Sequence, residues 1–165
     1  MTKGFAVLVF GASLALAYYY IGHSGMALPA MVASHFDANG IPNTFIRRER
    51  YLHLMHLIAL SAPTVIVSGT TLIYLRAATF KIPNREYWLA PENIARTRAF
   101  LVVHGIWFGV LLSAMLCYVH SLVVGANLAS PPHLSSDAAV GGVFAFVLVT
   151  LAWATILVFK FRRPD

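Results

Sequence analysis

The side chains best equipped for chemistry in this 165-residue chain are seven histidines and one cysteine. His53 and His56 stand three residues apart, as do Cys117 and His120, and that spacing puts each pair on one face of a helix. With Met55 and Met115 nearby as soft donors, His53, His56, Cys117 and His120 have the chemistry of a copper or zinc site. Facing helices would also allow one haem b between His120 and either His53 or His56. The same residues have a reading that needs no cofactor. An imidazole joins an apolar body to a polar tip, and near a membrane interface it hydrogen-bonds to water or to lipid phosphate. That second reading leads, so no cofactor is expected. His104 belongs to neither site, because sixteen residues of helix put it about 24 Å from His120.

Other catalytic signatures are missing. The chain has no hydrolase elbow, P-loop, dinucleotide fingerprint or zinc-protease helix. Hydroxyls near Pro63, namely Ser61, Thr64, Ser68 and Thr70, would suit a small-molecule permease. In a membrane helix, however, such groups usually bond their own backbone or a neighbour. The expectation is a non-catalytic protein.

The elements that carry these residues are four apolar runs, at 4–22, 51–75, 99–125 and 138–159, none holding Asp, Glu, Lys or Arg. A hydrocarbon core about 30 Å thick needs roughly 20 helical residues, so each run is long enough to cross it. A composition 59% hydrophobic and 11% charged points the same way. The absence of a carboxylate within the runs removes the usual intramembrane proton or ion site. Lys3, the apolar stretch behind it and Ala15-Leu16-Ala17 have the look of a secretory signal. The stretch is longer than a signal core, and it is read here as the first span. The expected fold is an all-α four-transmembrane-helix bundle, a single domain over 1–165. Loop 23–50 contains a short extracytoplasmic hairpin between the first two spans, and 76–98 forms a cytoplasmic loop.

Orientation follows from the cations. Lys3, Arg76, Lys81, Arg85, Arg96, Arg98, Lys160, Arg162 and Arg163 must share one side, against Arg47, Arg48 and Arg50 on the other. Nine against three puts both termini and the middle loop in the cytoplasm of a bacterial cell, at its cytoplasmic (inner) membrane. The net charge of +6 is thereby assigned to anionic lipid, not to nucleic acid. Under this topology six of the seven histidines lie on the outer side.

Along the third span Gly105, Gly109, Ser113, Cys117, Ser121 and Gly125 form a ridge of small residues that lets a neighbouring backbone approach closely. This helix is expected at the bundle centre, with Gly105, Gly109 and Ser113 as packing positions. A homo-oligomer or larger complex is the other use of such a ridge. Pro63 removes one backbone hydrogen bond from the second span and predicts a kink. In the first loop, 32–37 extends, Asn39-Gly40 supplies a pair tolerant of positive φ, and 41–45 returns, with Pro42 confined to an edge. His35, Phe36, Asp37, Asn39, Gly40 and Asn43 are the candidates there for recognising a protein or peptide. In the middle loop, Asn84, Arg85, Tyr87 and Trp88 precede Pro91 and Glu92, which suit a first helical turn running into the third span.

Leu28-Pro29 with Val32-Ala33-Ser34-His35-Phe36-Asp37 and Gly40-Ile41-Pro42-Asn43 resembles the signature of the SdpI-like membrane family. It is similar to a domain of unknown function that the members share. The stretches Asn84–Glu92 and His120–Asn127 also look like four-span members, so the resemblance covers nearly the whole chain. It implies a membrane bundle with a role in envelope sensing or immunity, or as an accessory subunit. The best known relatives resist a secreted peptide toxin and report it to a repressor. Those relatives have six spans, whereas this chain has four.

Overall fold

The computed structural model describes residues 2–76 and 82–162. Lys81 and Arg163, two of the nine cations counted above, lie outside the described residues. In chain order the elements are α1 (Lys3–Gly25), β1 (Met31–Phe36), β2 (Pro42–Arg47), α2 (Arg48–Arg76), α3 (Arg85–Trp88), α4 (Ile94–Leu128) and α5 (Ser136–Arg162). The four long helices are apolar on all sides and long enough to cross a membrane, so the chain is a multi-pass membrane protein. A helix satisfies its backbone internally, which is the condition hydrocarbon imposes. Each long helix outruns its apolar run by a few residues at one end or both, carrying polar side chains into the interfaces. The end that holds β1 and β2 is called here the hairpin side, and the opposite end the loop side.

α4 is the axis of the bundle and packs against α1, α2, α5 and β1. Its small residues explain that position over half its length. A Cβ on Gly109 would collide with Val67 of α2 and come within 2.9 Å of Phe10 of α1. At Gly105 it would stand 3.1 Å from the Thr70 hydroxyl. Ser113 is buried as well. Gly125, the last member of the ridge, faces open space and lets nothing closer. Pro63 lies inside the unbroken α2 and is fully buried.

The apolar core falls into three clusters stacked along α4. Ile21, Val32, Tyr51, Met55 and Val123 fill the hairpin side, Ala6, Val102 and Ile106 the middle, and Trp88, Leu101 and Phe161 the loop side. α5 is the least embedded helix, with Phe161 its only buried residue, and polar contacts pin it to the bundle. The Tyr118 hydroxyl donates to the Ala138 carbonyl (2.7 Å), and the Trp153 indole donates to that of His104 (3.2 Å). At its C-terminal end the orphaned carbonyls of Phe161 and Arg162 accept from Asn84 Nδ2, and Phe161 accepts from Trp88 Nε1 too.

The middle loop differs from expectation in detail. Its short helix, α3, ends before Pro91, and turns over 89–93 separate it from α4. Asn84 takes φ of 51° ahead of α3, a left-handed conformation that Asn tolerates. Trp88 is buried, Thr97 donates to its carbonyl (2.8 Å), and Lys160 Nζ lies 4.8 Å from its ring centre. A proline at 91 disfavours helical backbone at Ala90, so the chain turns there instead of continuing into α4.

Candidate functional site

β1 and β2 pair antiparallel, with Val32 opposite Ile46, Ala33 opposite Phe45 and Met31 opposite Arg47. Val32 is fully buried in the hairpin-side core, and Ile46 packs beside it. On the opposite face Met31 and Phe45 are 51% and 48% exposed. The register shifts on either side of His35, leaving Ser34 unpaired in the ladder. The turn is not built by Asn39 and Gly40 as a pair. Gly40 alone has positive φ (77°), while Asp37 Oδ1 accepts from the amides of both Asn39 and Ile41 (2.9 Å each). Asp37 is therefore the residue that shapes the turn.

Four ties fasten this hairpin and its base to the rest of the fold. Asn127 on α4 accepts from the Ala33 amide (2.8 Å) and donates to the Ala33 carbonyl (2.9 Å), so its side-chain amide closes the outer edge of β1 like a third strand. The same Nδ2 group donates to the Val123 carbonyl (2.9 Å), which fixes its orientation. Arg48 Nη1 donates to the Leu28 carbonyl (3.1 Å) at the base. At the tip, the Leu134 amide donates to the Gly40 carbonyl and the Ser136 hydroxyl to that of Ala38. Of the recognition candidates, Asp37, Asn39 and Gly40 belong to this scaffold. His35 and Asn43 are exposed and Phe36 is half-buried.

Beneath the hairpin, His120 is fully buried between three helices. Its Nε2 lies 3.0 Å from the Ser24 hydroxyl, and its Nδ1 lies 2.9 Å from the Tyr51 hydroxyl. The proton positions follow from the partners. Ser24 spends its one proton on the Tyr20 carbonyl (2.6 Å), so it must accept from Nε2–H. A neutral ring then accepts at Nδ1 from Tyr51 O–H. Every polar atom is satisfied, and α1, α2 and α4 are joined through one imidazole.

His56 stands on the seam of α1 and α2. Its Nδ1 faces the Leu52 carbonyl (2.8 Å) and its Nε2 the Tyr18 carbonyl (3.1 Å). A neutral imidazole has a single N–H and donates to only one of them. His53 is exposed one turn away, and Cys117 is half-buried with a free thiol. A metal or haem bound at His120 would have to displace Ser24 or Tyr51. Among the described residues no group of three or more His, Cys, Asp or Glu is placed to hold a metal ion. His104, in the other half of α4, stacks on Trp153 with ring centres 4.1 Å apart, and its Nε2 has no hydrogen-bond partner among the described residues.

Sequence reasoning missed Asn127, Ser24 and Tyr51 as the partners that matter. The one available signal was a polar Asn and a polar His seven residues apart near the end of a mainly apolar helix, two turns on one face. On the loop side, Asn84 and Trp88 cap α5, while Arg85 and Tyr87 border an open surface depression of about 730 Å³. Comparison of the chain with family models, curated proteins and solved structures finds no match.

Proposed function

We propose that this chain is a non-catalytic protein of the bacterial cytoplasmic membrane that presents its hairpin outside the cell to a protein or peptide partner. Both termini and the middle loop are then cytoplasmic, in keeping with the bias of Lys and Arg to the loop side. Envelope sensing, immunity or an accessory role in a membrane complex fits that form, as the resemblance to SdpI-like proteins implies. The observation that carries the reading is the mounting of the hairpin. Val32 is buried and Ala33 is held through both backbone groups by Asn127. Met31 and Phe45, flanked by His35 and Asn43, remain exposed on a strand pair that cannot drift. Rigidly held surface loops with exposed aromatic side chains are the usual form of a recognition site.

A photo-crosslinking amino acid at Asn43 or Phe45, irradiated in intact cells, tests this. A discrete protein or peptide adduct is expected there and none at Leu148 on the lipid-facing side of α5. Adducts to lipid alone at all three positions would refute the reading. An optical spectrum and metal analysis of the same preparation address copper, zinc and haem. Stoichiometric copper or a Soret band lost in His120→Ala would carry a redox function instead.

A further inference from the structure

In the half of the bundle nearer the loop side, α1 and α2 part over α4 and leave a groove of about 420 Å³. Its floor is Val102 and Ile106, both buried. Val7 of α1 and Val67 of α2 form walls, and Lys3 stands at the rim. Two hydroxyls also line it, and they lack the backbone bond that several helical hydroxyls of this chain make. Ser13, Ser24, Thr64, Thr70, Ser121 and Thr155 each donate to a carbonyl three or four residues earlier in their own helix. Ser68 and Thr71 make no hydrogen bond among the described residues and face the groove.

Depth along the helices orders these groups. At about 1.5 Å per residue, Thr71 lies one to two turns in from the loop-side end of α2 and Ser68 nearly another turn deeper. A cation at the surface, hydroxyl donors just below it and an apolar floor beneath match one kind of molecule, part by part. We propose that this groove holds one anionic glycerophospholipid of the Lys3-side leaflet. Its phosphate pairs with Lys3, its ester carbonyls accept from Thr71 and Ser68, and one acyl chain lies over Val102 and Ile106. A spanning helix of a second copy would enter the groove with apolar side chains only, since none of the four apolar runs carries Asp or Glu, and the loop-side carboxylates Glu86 and Glu92 lie outside those runs. The site owes nothing to the hairpin, and its fate is independent of the recognition role.

Native mass spectrometry of the full chain from mixed micelles of phosphatidylglycerol and phosphatidylcholine provides the test. One phosphatidylglycerol is expected to stay bound per chain, and inorganic phosphate in excess should not displace it. Lys3→Glu should reduce the preference over phosphatidylcholine at least about fivefold. Val7→Trp, a change at an exposed wall position that leaves the core alone, should empty the groove. Ether-linked phosphatidylglycerol has no ester carbonyls, so wild type should hold it more weakly, and Ser68→Ala with Thr71→Val should erase that difference. Circular dichroism and gel filtration confirm that each variant is folded. Equal retention of both headgroups, full displacement by phosphate, unchanged lipid in Val7→Trp, or a two-chain mass in its place would each overturn the assignment.

Discussion

Removing the Asn127 side chain isolates the tie between hairpin and bundle. Asn127→Ala deletes three hydrogen bonds, but their consequences differ. The Val123 carbonyl keeps its place in the helical ladder, whereas the Ala33 amide and carbonyl are left unpaired at a fully buried residue. Each such orphan costs about 1–3 kcal/mol, and water reaching the end of the bundle relieves part of it. A loss of about 3 kcal/mol is expected, which is roughly a hundredfold in the opening equilibrium. Residue-resolved hydrogen exchange in nanodiscs reads it directly, as a fall of that size in protection at the Ala33 amide. Asn127→Asp should do no better. A carboxylate still accepts from the Ala33 amide but sets negative oxygen against the Ala33 and Val123 carbonyls. Asn43→Ala, an exposed change in the other strand, should stay within about 0.5 kcal/mol of wild type. Wild-type exchange at Ala33 in Asn127→Ala would show that the clasp does not hold the strand.

Three further outcomes follow from the packing and topology. Tyr51→Phe leaves His120 Nδ1 without a donor and should lower stability by about 1–3 kcal/mol, read by thermal unfolding in detergent. Pairing it with Ser24→Ala in a double-mutant cycle should give a non-additive result, since both act through one ring. Gly109→Ala should cost about 1–3 kcal/mol because its Cβ meets Val67 and Phe10, while Gly125→Ala, in open space, should be neutral or slightly stabilising. A cysteine at Asn39 in a Cys117→Ser background should react with an impermeant thiol reagent added to intact cells. Labelling only after the cells are opened would reverse the proposed topology.

Much of the architecture was legible because its cause is local. An uncharged apolar run of about 20 residues has one low-energy fate beside a bilayer, whatever lies elsewhere in the chain. The small residues at 105, 109 and 113 marked the centre of the bundle for a similar reason, since a flank without side-chain bulk lets neighbouring helices approach closely. Gly40 and Pro42 marked the turn and the returning strand. The role of Asp37 in shaping that turn was not legible, because a carboxylate in a loop looks the same whether it faces a partner or its own backbone.

What the tertiary structure alone decided is which polar groups meet. Asn127 reaches Ala33 across 94 residues of sequence, and His120 reaches Ser24 across 96 and Tyr51 across 69. Nothing in the spacing of His53, His56, Cys117 and His120 distinguishes a ligand cluster from imidazoles already engaged by hydroxyls and carbonyls. Composition sets which segments enter the membrane, because transfer into hydrocarbon sums over a segment's own residues. Hydrogen bonds between distant side chains depend on how helices rotate and cross, and that is settled only when all the packed surfaces meet at once.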